Sequence, residues 1–244
     1  MSGIARGRVA LAELIRILGI TVLGITACAA VSVRAQTSQP ASSSSSPAKQ
    51  VNKSASAADS PLSSGTVSAG VYRNPAFGFT CRIPAGWVLR TEEMNARDGG
   101  DAKADAGKKA IGDGKAERVL LAAFSRPPEA RGEDVNGSIV IAAESAAAYP
   151  GLKDAAQYFG PVTEVAKAQG FEVEEEPYEF AVPTRTVVRA DFQKNVGTRV
   201  MRQSTLVVLA HGYAVSFTFI GGTEDEVEEL VRELSFGTGA KAGP

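Results

Sequence analysis

Histidine and cysteine are almost missing from this chain: one His and two Cys occur in 244 residues. One imidazole and two thiols cannot build a His/Cys metal cluster, so a metal site would have to rest wholly on carboxylates. His211 stands in His211-Gly212, a hairpin-turn dipeptide, and reads as a polar turn residue. The chain also lacks a Gly-x-Ser-x-Gly elbow, a Ser-x-x-Lys pair and a His-Glu-x-x-His motif. Neither sign of charge is in excess, with 26 Lys and Arg against 27 Asp and Glu. No basic stripe with interleaved aromatics exists, which argues against nucleic acid as a partner. Trp87 is the single Trp; packing under a loop is its expected role, with ligand stacking the other.

What the chain does have is a marked N-terminus. Arg6, Arg8 and Arg16 precede an apolar run from Ile17 to Ala30, about the length of a signal-peptide core and short for a membrane span. Two ends to this segment are open. Val33-Arg34-Ala35 before Gln36 fits a small-x-small cleavage site, which would release a soluble protein. Ile25-Thr26-Ala27-Cys28 resembles a bacterial lipobox, in which case Cys28 becomes a lipidated first residue and a membrane tether. Residues 1–35 are therefore expected to be a signal peptide. Residues 36–69, rich in Ser, Ala and Pro, are expected to be a disordered tether; such a coil would span on the order of 30 Å root-mean-square. Removing 1–35 takes away four basic residues and one acidic residue, leaving a formal charge near −4. Either ending leaves Cys81 alone, without a disulfide partner. It sits in the alternating Phe79-Thr80-Cys81-Arg82-Ile83 and reads as a buried, inert thiol.

Residues 70–237 are long enough to bury one ordinary core, with 238–244 as a flexible tail. Strands are expected at the opening, where Pro84 and Gly86 end one strand and Trp87 begins another, and at Val119–Ser125 and Ser138–Ala143. Between them, 92–117 reads as a flexible insertion rich in Gly, Ala, Lys and Asp. An EF-type calcium loop starting at Asp98 fails, because Gly100 and Ala102 stand where oxygen ligands are needed. Leu152–Gln169 has a helical stripe, broken at Gly160-Pro161 and stopped by Gly170. The run Glu172, Glu174, Glu175, Glu176 reads as a solvated edge strand, with a cation or a basic partner as the other reading. Strands at Thr184–Lys194, Arg199–Ala210 and Tyr213–Ile220 follow. A capping box at Thr223-Glu224-Asp225-Glu226 then opens a last helix with Val227, Leu230, Val231 and Leu234 on one stripe. Gly221-Gly222 before that helix reads as a hinge, since the acids after it would repel an anion. The order β-β, β-β, α, β-β-β, α makes an α+β domain.

The opening Tyr72…Phe77-Gly78-Phe79…Ile83-Pro84-Ala85-Gly86-Trp87 resembles the aromatic-Gly-aromatic…Pro-x-Gly-Trp start of PsbP-like and Mog-type domains. The end is similar too: Gly212-Tyr213, an aromatic strand, and a final helix closing on Ser235-Phe236. The resemblance covers most of 71–237. It implies a central antiparallel sheet flanked by helices, an α/β/α sandwich. It also implies protein binding without a shared catalytic centre, as in photosystem extrinsic subunits, a Ran-binding protein, chaperones for secreted effectors and exported lipoproteins. The expectation is thus a non-catalytic, exported protein-binding or assembly module at the bacterial cell envelope, with no cofactor and no metal, and with another envelope protein as partner. Its expected binding surface is the polar sheet face carrying Arg185, Arg189, Asp191 and Gln193, with Met201, Gln203 and Thr205 beside them on the next strand. The other reading is a small-ligand or lipid carrier, or a hydrolase without a recognisable motif, using a pocket between helix and sheet. Oligomeric state is left open.

Overall fold

The computed structural model describes residues 62, 65–101, 117–130, 132 and 134–237. The signal segment with Cys28, most of the tether, residues 102–116 of the insertion and the 238–244 tail lie outside the described residues. The elements are β1 (Thr66–Ser68), β2 (Val71–Asn74), β3 (Phe79–Arg82), β4 (Val88–Leu89), α1 (Thr91–Asp101), β5 (Glu117–Phe124) and β6 (Ser138–Ser145). There follow α2 (Ala155–Ala168), β7 (Glu172–Val182), β8 (Arg185–Val196), β9 (Arg199–Ala210), β10 (Tyr213–Gly221), α3 (Glu224–Arg232) and β11 (Leu234–Phe236).

The strands form two antiparallel sheets, where a single central one was expected. The larger runs β4-β5-β6-β10-β9-β8-β7 and the smaller β1-β2-β3-β11. The opening strands separate because their inward side chains are large and aromatic. Tyr72, Phe79 and Cys81 are buried, and Phe79 meets Phe217 of β10 edge-on at 4.9 Å. The small sheet and α3 thereby cover one face of the large sheet, through Leu206, Phe217, Phe219, Val227 and Val231. The other face holds α2 against Ala190, Phe192 and Val207, and Met94 of α1 against Val119, Ala122 and Val140. A bulge between Val119 and Leu121 of β5 turns both Leu120 and Leu121 to the first face, so the strand serves both cores. Trp87 packs on the main core and its ring lies on Gly137, where a Cβ would come within 3.3 Å of it.

Three elements differ from the sequence reading. β1 lies inside the stretch expected to be tether, paired through Val67 and Tyr72. The first part of the expected flexible insertion is α1. It is held by side chains on the β5 backbone: Thr91 Oγ1 accepts from the Ala122 N–H at 2.9 Å, and the Asn95 amide both donates to the Val119 carbonyl at 2.9 Å and accepts from its N–H at 3.1 Å. Finally, α2 is one helix, with Pro161 inside it. Proline in a helix interior costs about 3 kcal/mol. Burial of Phe159, Val162 and Val165 returns about 1.5–3 kcal/mol each, so packing outweighs the lost hydrogen bond.

Other local signals act as read. α2 stops at Gly170, φ +83°, with Phe171 N–H to Ala166 C=O and Gly170 N–H to Lys167 C=O both at 3.0 Å, a Schellman ending. β7 is an edge strand with its first glutamates exposed and two irregular steps in its pairing, features that discourage further strand addition. At the start of α3, Thr223 Oγ1 accepts from the Glu226 N–H at 3.2 Å, and Glu226 Oε2 accepts from the N–H of Thr223 at 3.3 Å and of Gly222 at 2.7 Å. Thr223→Ala should therefore lower stability by about 1 kcal/mol in urea unfolding, and an unchanged midpoint would show that the box is not formed in solution. Among the described residues, no helix is long and apolar enough to cross a membrane.

Candidate functional site

The expected binding face is not an open one. Pairing across β8 and β9 sets Ala190 opposite Thr205, Phe192 opposite Gln203 and Lys194 opposite Met201. Directly paired residues share a face, so Met201, Gln203 and Thr205 lie on the side opposite Arg189 and Asp191. Gln203 is buried and its Nε2 donates to Thr205 Oγ1 at 3.1 Å. Arg189 is only 5% exposed. Its Nε donates to both Asp191 oxygens at 3.0 Å, its Nη2 donates to Glu228 Oε1 of α3 at 2.5 Å, and its guanidinium lies 4.8 Å from the Phe180 ring centroid. Tyr178 donates to Asp191 Oδ2 at 3.1 Å. These charges clamp α3 and β7 to the sheet and are spent within the fold. Arg185 is half-buried, donating to the Leu209 carbonyl at 3.3 Å with its guanidinium over the Phe236 ring; Gln193 is also half-buried.

The other chemistry-bearing residues fall apart in space. His211 is exposed in the β9–β10 turn with φ +52°. Cys81 is fully buried, and burial pushes its thiol up to about 12, which leaves no thiolate at neutral pH. Among the described residues, no group of three or more His, Cys, Asp and Glu could hold a metal ion.

One titratable cluster was not foreseen. Glu144, on β6, is 4% exposed, and its Oε2 accepts from Tyr149 Oη at 2.7 Å and Tyr158 Oη at 2.8 Å. Glu117 pairs with it across the ladder. Burial raises the Glu144 carboxyl above its ordinary value, although both tyrosine hydrogen bonds pull it down. Burial and the Glu144 charge push both tyrosines up as well. With both hydroxyls turned onto the one oxygen and the carboxyl enclosed, the cluster ties α2 to β6. Sequence spacing gave no hint of it: Glu144 follows an apolar run and reads as the polar end of a strand, and Tyr158 lies off the stripe read for α2.

An opening does exist where the two sheets meet at their β1 and β4 edges. A cleft of about 310 Å3 has Tyr72, Leu120 and Leu121 on its floor and Val67 and Leu89 on its walls. Val67 shares the inward face of β1 with Tyr72, and Leu89 shares the inward face of β4 with Ala123. Both nonetheless stay 44% and 45% exposed, the large apolar side chains left exposed among the described residues. The seam between the sheets is therefore uncovered at this end. Its rim carries Arg90, Glu92 and Glu93. A second, smaller hollow of about 230 Å3 lies by Glu179, Arg185 and Leu209.

No protein-family model matches the chain, and none of the curated proteins does. Solved structures similar to it include PsbP (CyanoP) from Synechocystis, with 15% identity, a TM-score of 0.39, and 72% of this chain and 99% of that one covered. The Ran-binding protein Mog1p of Saccharomyces cerevisiae has 12% identity and a TM-score of 0.36, over 65% of this chain and 90% of that one. LpqN of Mycobacterium tuberculosis, described as involved in cell envelope biogenesis, has 13% identity and a TM-score of 0.31, over 64% of this chain and 76% of that one. The chain spans about half (48%) of a Bacteroides thetaiotaomicron protein that it also matches. At these identities and scores the likenesses assign no site and no partner. They include a PsbP and a Mog protein, the two groups that the motifs at the ends of this domain resemble.

Proposed function

We propose that this chain is a non-catalytic protein-binding or assembly module, exported and working at the bacterial cell envelope, and that it binds at the open seam between its sheets. The observation that carries the reading is the seam itself: Val67 and Leu89 sit on inward faces and remain exposed. An apolar patch that folding leaves uncovered is what a partner covers. Two further features support it. The Cys81 thiol is held protonated, and the Glu144 carboxylate is closed off by its two tyrosines, so neither is offered to a substrate. The α/β/α sandwich of PsbP-like and Mog-type domains is the arrangement that accompanies this reading, with the small sheet added over one flank.

The reading is tested by cross-linking in intact cells that make the full chain, followed by mass spectrometry. One envelope protein recovered in stoichiometric amount is the expected result. Recovery of a bound metabolite alone, or of nothing, overturns it. Anchoring through Cys28 is part of the same proposal: blocking lipoprotein signal peptidase should leave a membrane-held precursor. A soluble mature protein beginning at Gln36 would overturn the anchor and leave the binding module in place.

A further inference from the structure

Resting on that reading, we propose that the seam receives an extended segment of the partner, with alternating apolar and basic side chains, added as a strand to the free edge of β1. β1 is an end strand of its sheet, bonded to β2 and to no other strand among the described residues. Its outer edge therefore offers unpaired ladder groups beside an apolar cleft. Side chains of an added strand alternate between faces. Every second one continues the inward row of Val67 and Tyr72 and closes over Leu120, Leu121 and Leu89.

The opposite edge at the cleft has no such groups to give. β4 is two residues long, and the β5 backbone beyond it is taken. The Ala122 carbonyl accepts from the Arg90 N–H at 2.9 Å, the Ala122 N–H goes to Thr91, and the Val119 N–H and carbonyl go to Asn95. The incoming chain thus pairs with β1 alone and meets Leu89 through side chains.

Charge sets the sign of the partner. The one cation on the cleft lining, Arg90, already donates to Glu93 Oε2 and Glu129 Oε1, each at 2.7 Å. Glu92 has no ion pair among the described residues. The rim is net negative and favours Lys or Arg on the outward positions of the added strand. A second copy of this chain fits worse, because a two-fold contact would set the same acidic rims against each other.

The test uses the chain from Gln36 onward and a labelled heptapeptide of alternating Lys and Val, read by fluorescence anisotropy. Saturable binding is expected, weakened at least tenfold when every peptide nitrogen is methylated and at least tenfold when Glu replaces Lys. Leu89→Asp and Val67→Asp should abolish it, and Glu92→Lys should weaken it, all at exposed positions where the fold survives. Equal binding of the methylated or glutamate peptide, indifference to Leu89→Asp, or no binding at all overturns the proposal. So does a concentration-dependent dimer that Leu89→Asp dissolves, which would give the seam to a second copy. If cross-linking in cells recovers one stoichiometric partner while the peptide does not bind, strand addition falls and the binding module stands. If cross-linking recovers nothing, the module itself falls.

Discussion

Replacing Arg189 by Ala is expected to lower the unfolding free energy by about 3–5 kcal/mol, the range for removing one partner of a buried ion pair. The guanidinium is almost wholly enclosed and is shared by Asp191, Glu228 and the Phe180 ring. Without it, Asp191 and Glu228 face each other with little water to screen them. Arg189→Lys should recover only part of the loss, because an ammonium cannot span both carboxylates and stack on Phe180. Replacing Arg189, Asp191 and Glu228 together by apolar residues of similar size should recover most of it, since a fully apolar seam often equals a buried ion network. Urea unfolding of the three variants checks this. A loss under about 1 kcal/mol for Arg189→Ala would mean that the network is wet and open in solution, and would restore this face as a candidate surface.

Glu144→Ala should be nearly as damaging, at about 2–4 kcal/mol, because two enclosed tyrosine hydroxyls lose their only named acceptor and a void opens. Glu144→Gln keeps an acceptor oxygen without a charge to bury and should cost under about 1 kcal/mol at neutral pH. The pair also has a pH signature. Folding raises the Glu144 carboxyl above its ordinary 4.5, so the folded chain binds this proton more tightly than the unfolded one. On this account the group's favourable contribution is complete below about pH 4.5 and is lost as pH rises through the higher folded value. The difference in stability between the native chain and Glu144→Gln should therefore shift against the native chain as pH rises across that window, and level off above it. A difference that is flat with pH would show that the carboxyl titrates as in the unfolded chain.

The two effects divide the molecule usefully. Arg189 and Glu144 are the charges that sequence reasoning would offer to a ligand or leave on the surface, and the fold uses both internally. The residues it leaves to the outside, Val67 and Leu89, are ordinary aliphatic side chains in strands of three and two residues. Short apolar positions of that kind carry no periodic signal. Their exposure follows from where two sheets end.

Features with local causes were legible from the chain alone. β8, β9 and β10 follow from alternation, the start of α3 from Thr223 and Glu226, and the stop of α2 from the only residue type that takes φ +83° without strain. The run of glutamates at the start of β7 marks an edge for the same kind of reason, since exposed charge there keeps other strands away. Contacts between distant segments were not legible. Which face Gln203 occupies depends on a register set between β8 and β9, and a shift of one residue reverses it. That α2 runs through Pro161 depends on the sheet beneath it, and that α1 forms at all depends on the β5 backbone it caps. Sequence by itself determined the elements and the scarcity of catalytic side chains. Tertiary packing decided which polar groups are consumed and where the apolar seam stays open, because burial belongs to the assembled sheets and to no single segment.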